Sequence, residues 1–119
     1  MKIEEMEVFK KSHELVLYTY KITKDLPNDE RFTLLNQMRR SSTSITTNLI
    51  EGDSRYSKKE YGYFLKMAIG SCAELRYQYL LCNDLGYIDT EQKNNAYYLC
   101  EETMNLLIST RKAVEERNE

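Results

Sequence analysis

Glu51 and Glu74 are the two carboxylates whose surroundings invite a chemical reading. Gln37, Ser41, Ser44, Asn48 and Glu51 recur at alternating steps of four and three. Gly70, Ser71, Glu74 and Gln78 form a second polar stripe with similar helical spacing. If the two stripes face each other, Glu51 and Glu74 can meet as a carboxylate pair, the arrangement that divides acid and base roles. The rest of the catalytic inventory is thin. His13 is the only histidine, which excludes a two-histidine metal site within one chain. The Glu-x-x-His pairs of di-iron bundles are also missing. Gly52, Gly62 and Gly70 are isolated and make no phosphate-cradling loop. The expectation is a protein without catalysis, metal or cofactor, in which Gln37, Ser44, Asn48, Glu51, Ser71 and Glu74 form a structural polar network.

Phosphate contact is the second chemistry to weigh. Arg39, Arg40, Arg55, Lys58 and Lys59 are the candidate nucleic-acid-binding residues; with Arg39 and Arg40 about three turns before Gly52, they form either one patch at that turn or two separate small ones. Against them stands the global balance of 17 Lys and Arg to 19 Asp and Glu, a formal charge of −2. Nucleic-acid binders usually carry a basic excess. Acidic residues concentrate toward the end of the chain, where Tyr87 onward holds four basic and seven acidic residues. Ten tyrosines and no tryptophan are the other oddity. Tyr18, Tyr20, Tyr63, Tyr77, Tyr97 and Tyr98 fall off or beside the apolar seams, where tyrosine suits a protein interface or stacks on unpaired bases.

Helices must position these groups. One Pro and four Gly in 119 residues leave too few turn residues for an all-β fold. Breaks at Leu26-Pro27-Asn28, Gly52-Asp53-Ser54 and Leu85-Gly86-Tyr87 divide the chain into four segments. Val8, Ser12, Leu15, Thr19, Ile22 and Leu26 repeat at helical steps, as do Tyr61, Leu65, Ala68, Cys72, Leu75, Tyr79 and Cys82. The last segment repeats Ala96, Leu99, Thr103, Leu106, Thr110 and Ala113, flanked by Cys100, Leu107 and Val114. Capping boxes open at Ser57 and Asp89. These signals predict one all-α domain over 1–119, an antiparallel up-and-down four-helix bundle with helices at about 5–25, 28–51, 57–84 and 89–117.

The second segment is unlike the others. Ser41-Ser42-Thr43-Ser44-Ile45-Thr46-Thr47 holds six hydroxyl residues in seven, mediocre helix formers that compete for backbone hydrogen bonds. Such a run suits close contact with a neighbour. Cys72, Cys82 and Cys100, with no Cys-x-x-Cys spacing, read as buried small hydrophobes in a reducing compartment. With no signal-peptide or membrane-span pattern, the chain is expected in the cytoplasm.

Leu34 to Gly52, with Gln37-Met38-Arg39-Arg40, Ser44-Ile45 and Asn48-Leu49-Ile50-Glu51-Gly52, resembles the four-helix-bundle family of 23S rRNA intervening-sequence proteins. The likeness continues through Arg55, Ser57, Glu60, Phe64-Leu65, Ala68 to Leu75, and Leu85-Gly86-Tyr87. Val8-Phe9 and Leu26-Pro27 with Glu30 extend it upstream, so it covers nearly the whole chain. The resemblance implies an up-and-down bundle whose relatives assemble as pentameric rings. One branch, the accessory protein of diversity-generating retroelements, binds a reverse transcriptase and nucleic acid through a basic surface. Other members are encoded by insertions in 23S rRNA genes. Here Phe9 stands where many members have Trp, Ser41 and Ser42 replace a small apolar pair, and Ile50 replaces an Ala. The strong basic character of the retroelement branch is missing.

Together these readings predict a non-catalytic homo-oligomeric scaffold, a pentamer by resemblance. Its expected partners are further copies of itself, RNA or DNA, and a reverse transcriptase or ribonucleoprotein, with no membrane. The alternative is a protein–protein adaptor without nucleic-acid affinity.

Overall fold

The structure, a computed structural model, describes residues 1–116. Four helices follow one another: α1 (Glu7–Thr23), α2 (Leu34–Asp53), α3 (Lys58–Asp84) and α4 (Thr90–Glu115). Short 3-10 turns at Ile3–Glu5 and Asn28–Glu30 precede α1 and α2. The described residues contain no strand. Each helix packs on two others in cyclic order, α1 on α2, α2 on α3, α3 on α4 and α4 on α1. The result is a square up-and-down bundle of 49 × 25 × 20 Å.

Apolar spacing explains the core. Every residue of the predicted first and third seams is buried, from Val8 to Leu26 and from Tyr61 to Cys82. A fully buried Leu such as Leu15, Leu65 or Leu75 contributes roughly 1.5–3 kcal/mol relative to exposure. The seam predicted on α4 holds at Ala96 and Thr103, both fully buried, and shifts by one position at the rest. Cys100, Leu107 and Val114 fill the core, while Leu99 and Leu106 are half-buried and Ala113 is exposed. Two parallel apolar stripes run along that segment, and only packing against α1 and α3 chooses between them.

Polar groups inside are mostly answered. Thr19 and Tyr79 meet through their hydroxyls at 2.6 Å across the core, and Ser12 donates to the Val8 carbonyl at 2.6 Å. The Cys72 thiol donates to the Cys100 carbonyl at 3.4 Å. All three cysteines are buried and free, as their apolar setting predicts.

Helix ends explain the remaining departures. The first helix begins at Glu7 and not near residue 5, because Met6 is extended. The second was expected from residue 28 but starts at Leu34. Pro27 is extended, one 3-10 turn follows, and Thr33 takes φ −119°, ψ −100°. The Thr33 and Tyr87 hydroxyls donate to Glu30 and hold its carboxyl below the usual range. The break predicted at Gly52-Asp53-Ser54 falls at its far side, for α2 runs through Gly52 to Asp53 with Ser54 as C-cap. A Cβ there would lie 3.0 Å from the Tyr61 ring and 3.1 Å from the Phe64 Cβ, so glycine lets α2 and α3 converge. Gly86 does end α3. At φ +79° its N–H reaches the Asn83 carbonyl and that of Tyr87 the Cys82 carbonyl, the paired bonds of a Schellman cap. Ser57 caps α3, and Asp89 with Gln92 forms the full capping box of α4. Position 117, in the predicted fourth helix, lies outside the described residues.

Candidate functional site

The hydroxyl-rich stretch of α2 lies along α3, and the two polar stripes meet. Ser41 donates to the Glu74 carboxylate at 2.7 Å, and the Ser44 and Ser71 hydroxyls are 2.8 Å apart. Asn48 donates to the Ser44 carbonyl at 2.8 Å and to its hydroxyl at 3.0 Å. Small side chains at these positions bring the helices close enough for direct bonds. Gln37, Arg40, Ser41, Ser44, Ser71 and Glu74 line a shallow groove of about 360 Å³ above the seam. Beside Glu74, the buried Gln78 carbonyl oxygen has no partner among the described residues.

Glu51 is not part of this network. The register that pairs Ser41 with Glu74 and Ser44 with Ser71 puts Glu51 level with Phe64, about 15 Å along α3 from Glu74 at 1.5 Å per residue. Its carboxylate instead takes a 3.0 Å ion pair from Arg55, one turn on. The facing carboxylate pair is therefore not formed, and the acid–base reading of Glu51 and Glu74 falls with it. Among the described residues, no three potential metal ligands converge.

The five basic candidates do not act as one patch. Arg39 turns toward α1, where its Nε donates to the Thr23 hydroxyl at 2.9 Å. Its guanidinium lies 4.5 Å from the centre of the Tyr20 ring. That contact fastens α2 to α1. Arg40, its neighbour, lines the polar groove by α3. Adjacent positions on a helix point about 100° apart, and here one arginine is held against α1 while the other lines the α2–α3 groove. Arg55, Lys58 and Lys59 do come together, where α2 turns into α3.

Two grooves adjoin that turn. One, about 350 Å³, is lined by Lys58, Lys59, Gly62, Tyr63, Lys66 and Glu115. The other, about 550 Å³, is lined by Arg55, Ser57, Lys59, Glu60, Tyr63 and Phe64. Arg55 also lies over the Phe64 ring at 4.9 Å. Tyr63 stands between the grooves, 58% exposed, its ring edge-on to Phe64 at 5.4 Å between centroids. Sequence reasoning missed Lys66 as a member of this cluster. The signal was present, since Lys59, Tyr63 and Lys66 follow one another at steps of four and three.

What the fold and these surfaces define is a helical bundle with a hydrogen-bonded α2–α3 seam and a basic, aromatic end. The chain belongs to the family of 23S rRNA-intervening sequence proteins, whose model matches residues 4–109. A crystal structure from Bacteroides thetaiotaomicron VPI-5482, described as a protein of unknown function from the S23 ribosomal protein family, is similar at 30% identity. It superposes with a TM-score of 0.81 over 88% of this chain and 98% of that one. No protein of curated function matches. Among the described residues, no helix is long and apolar enough to cross a membrane.

Proposed function

We propose that the protein is a non-catalytic scaffold that assembles with copies of itself, as a ring of five, and presents a nucleic-acid-binding surface to a ribonucleoprotein or reverse-transcriptase partner. The observation that carries the scaffold reading is the outer surface of α3. Met67 and Tyr77 are 48% and 59% exposed there, with Gly70 between them and open space where its Cβ would be. Elsewhere, α1 exposes Leu17 and α4 exposes Tyr98. Two dissimilar apolar surfaces on different sides of one bundle suit head-to-tail contacts, the kind that closes into a ring when the rotation between subunits returns to its start. Where such residues join into a contiguous patch, it marks a surface for a partner.

Light scattering tests the assembly. A mass near five chains at micromolar concentration is expected, and Met67→Glu with Tyr77→Glu should reduce it to that of one chain. A monomeric native protein would defeat the reading. For nucleic acid, the support is the convergence of Arg55, Lys58 and Lys59, with Arg39 excluded by its bonds to α1 and Arg40 set apart in the α2–α3 groove. Binding should weaken as salt rises, with a slope set by the few phosphates these side chains can neutralise. The formal charge of −2 favours the rival reading, a protein-only adaptor. Absence of salt-sensitive binding at low ionic strength would leave that rival ahead.

A further inference from the structure

We infer that the basic end of the bundle is built for single-stranded nucleic acid, with Tyr63 as the platform on which an unpaired base stacks. The inference rests on the nucleic-acid reading above and names its substrate class. Phosphate attraction alone does not discriminate single strands from duplexes, because Lys and Arg neutralise either. Discrimination needs a surface that only an open base can cover. Tyr63 supplies one. Its ring is more than half exposed, and it stands between two grooves that share Lys59. Arg55 lies on one side, and Lys58 and Lys66 lie on the other. A backbone crossing the ridge would meet cations before and after the ring, the alternation by which single-strand sites track phosphates while bases stack. The Phe64 ring, perpendicular to that of Tyr63 at 5.4 Å between centroids, packs beside it and reduces the ordering that stacking requires.

The cluster also holds acid. Glu60 and Glu115 line the grooves, and Glu51 pairs with Arg55 at 3.0 Å. Lys59 and Lys66 have no ion pair among the described residues. The cationic contribution is therefore modest, and the aromatic face accounts for a correspondingly larger share of affinity. Bases in a duplex keep their faces against one another and leave nothing for Tyr63 to cover.

Fluorescence anisotropy on the full chain tests this, using labelled single-stranded RNA and DNA of mixed sequence and duplexes of equal length. Single strands should bind at least about tenfold more tightly than duplexes. Tyr63→Ala should weaken single-strand binding by on the order of tenfold with the salt slope unchanged, because no charge is lost. Tyr63→Phe keeps the ring and should bind normally, which separates stacking from loss of fold. Lys59→Gln with Lys66→Gln should flatten the salt slope, while Arg40→Gln should leave both quantities unchanged. Equal affinity for duplex and single strand, with Tyr63→Ala indifferent, would overturn the inference and leave the phosphate surface standing. No salt-sensitive binding to any probe would remove both.

Discussion

Adjacent side chains of the same type have different tasks in this protein. Arg39 is a clasp on Tyr20 and Thr23, whereas Arg40 lines a solvent-facing groove. Arg39→Ala is therefore expected to cost about 1 kcal/mol in a urea titration. It should leave any nucleic-acid salt slope as it was. Tyr79→Phe removes the hydroxyl that meets Thr19 at 2.6 Å in the core, and should destabilise by roughly 1–2 kcal/mol in the same titration. Burial also pushes the Cys82 thiol up from 9.0 to about 11. Between those values the unfolded chain loses the thiol proton while the folded one keeps it, so stability must fall as pH rises. The full contribution is present below pH 9 and is lost progressively toward pH 11. The slope is at most about 1.4 kcal/mol per pH unit for one thiol. Burial raises the Tyr79 hydroxyl in the same sense, starting from a higher pH. Urea midpoints measured from pH 8 upward should decline, and Cys82→Val should make that decline shallower.

At the scale of elements, glycine and caps set how the helices meet. Gly52→Ala drives a Cβ against Tyr61 and Phe64, and should lower stability by about 1–2 kcal/mol despite better helix propensity. Gly62→Ala meets nothing within 4 Å and should stabilise by roughly 0.5–1 kcal/mol. Opposite shifts in thermal midpoint for the two variants would locate the close approach of α2 and α3 at Gly52. Matching shifts would contradict it. The hydroxyl run of α2 has the same logic. Residues that weaken an isolated helix are tolerated because Ser41 and Ser44 find partners on α3, and Thr43 and Thr46 return their hydroxyls to α2's own backbone. Ser57, Asp89 and Gly86 place three helix ends where their types predict.

For the whole molecule, the arrangement separates two roles. The α2–α3 seam and the core hold the bundle, while the outer surface of α3 faces outward with Met67 and Tyr77 and ends at the basic turn. The scaffold proposed above would show assembly and nucleic-acid binding independently. Met67→Glu with Tyr77→Glu is expected to reduce assembly mass while a single subunit still binds nucleic acid, more weakly for want of neighbouring copies. Light scattering and anisotropy on the same sample would check this. Loss of all binding on dissociation would instead place the contact across subunits.

Four helices, their order and most of their ends were legible in the chain, because apolar spacing and capping chemistry are local properties that no distant residue alters. The polar stripes were legible for the same reason, and so was their meeting. Register was not. Whether Glu51 faces Glu74, which of two stripes on α4 enters the core, and whether Gly52 stops a helix or admits a neighbour all depend on how helices lie beside one another. Those choices are made by packing between segments far apart in the chain. The same packing turned Arg39 inward and gathered Lys66 and Tyr63 beside Lys59, leaving a different basic surface from the one composition suggested.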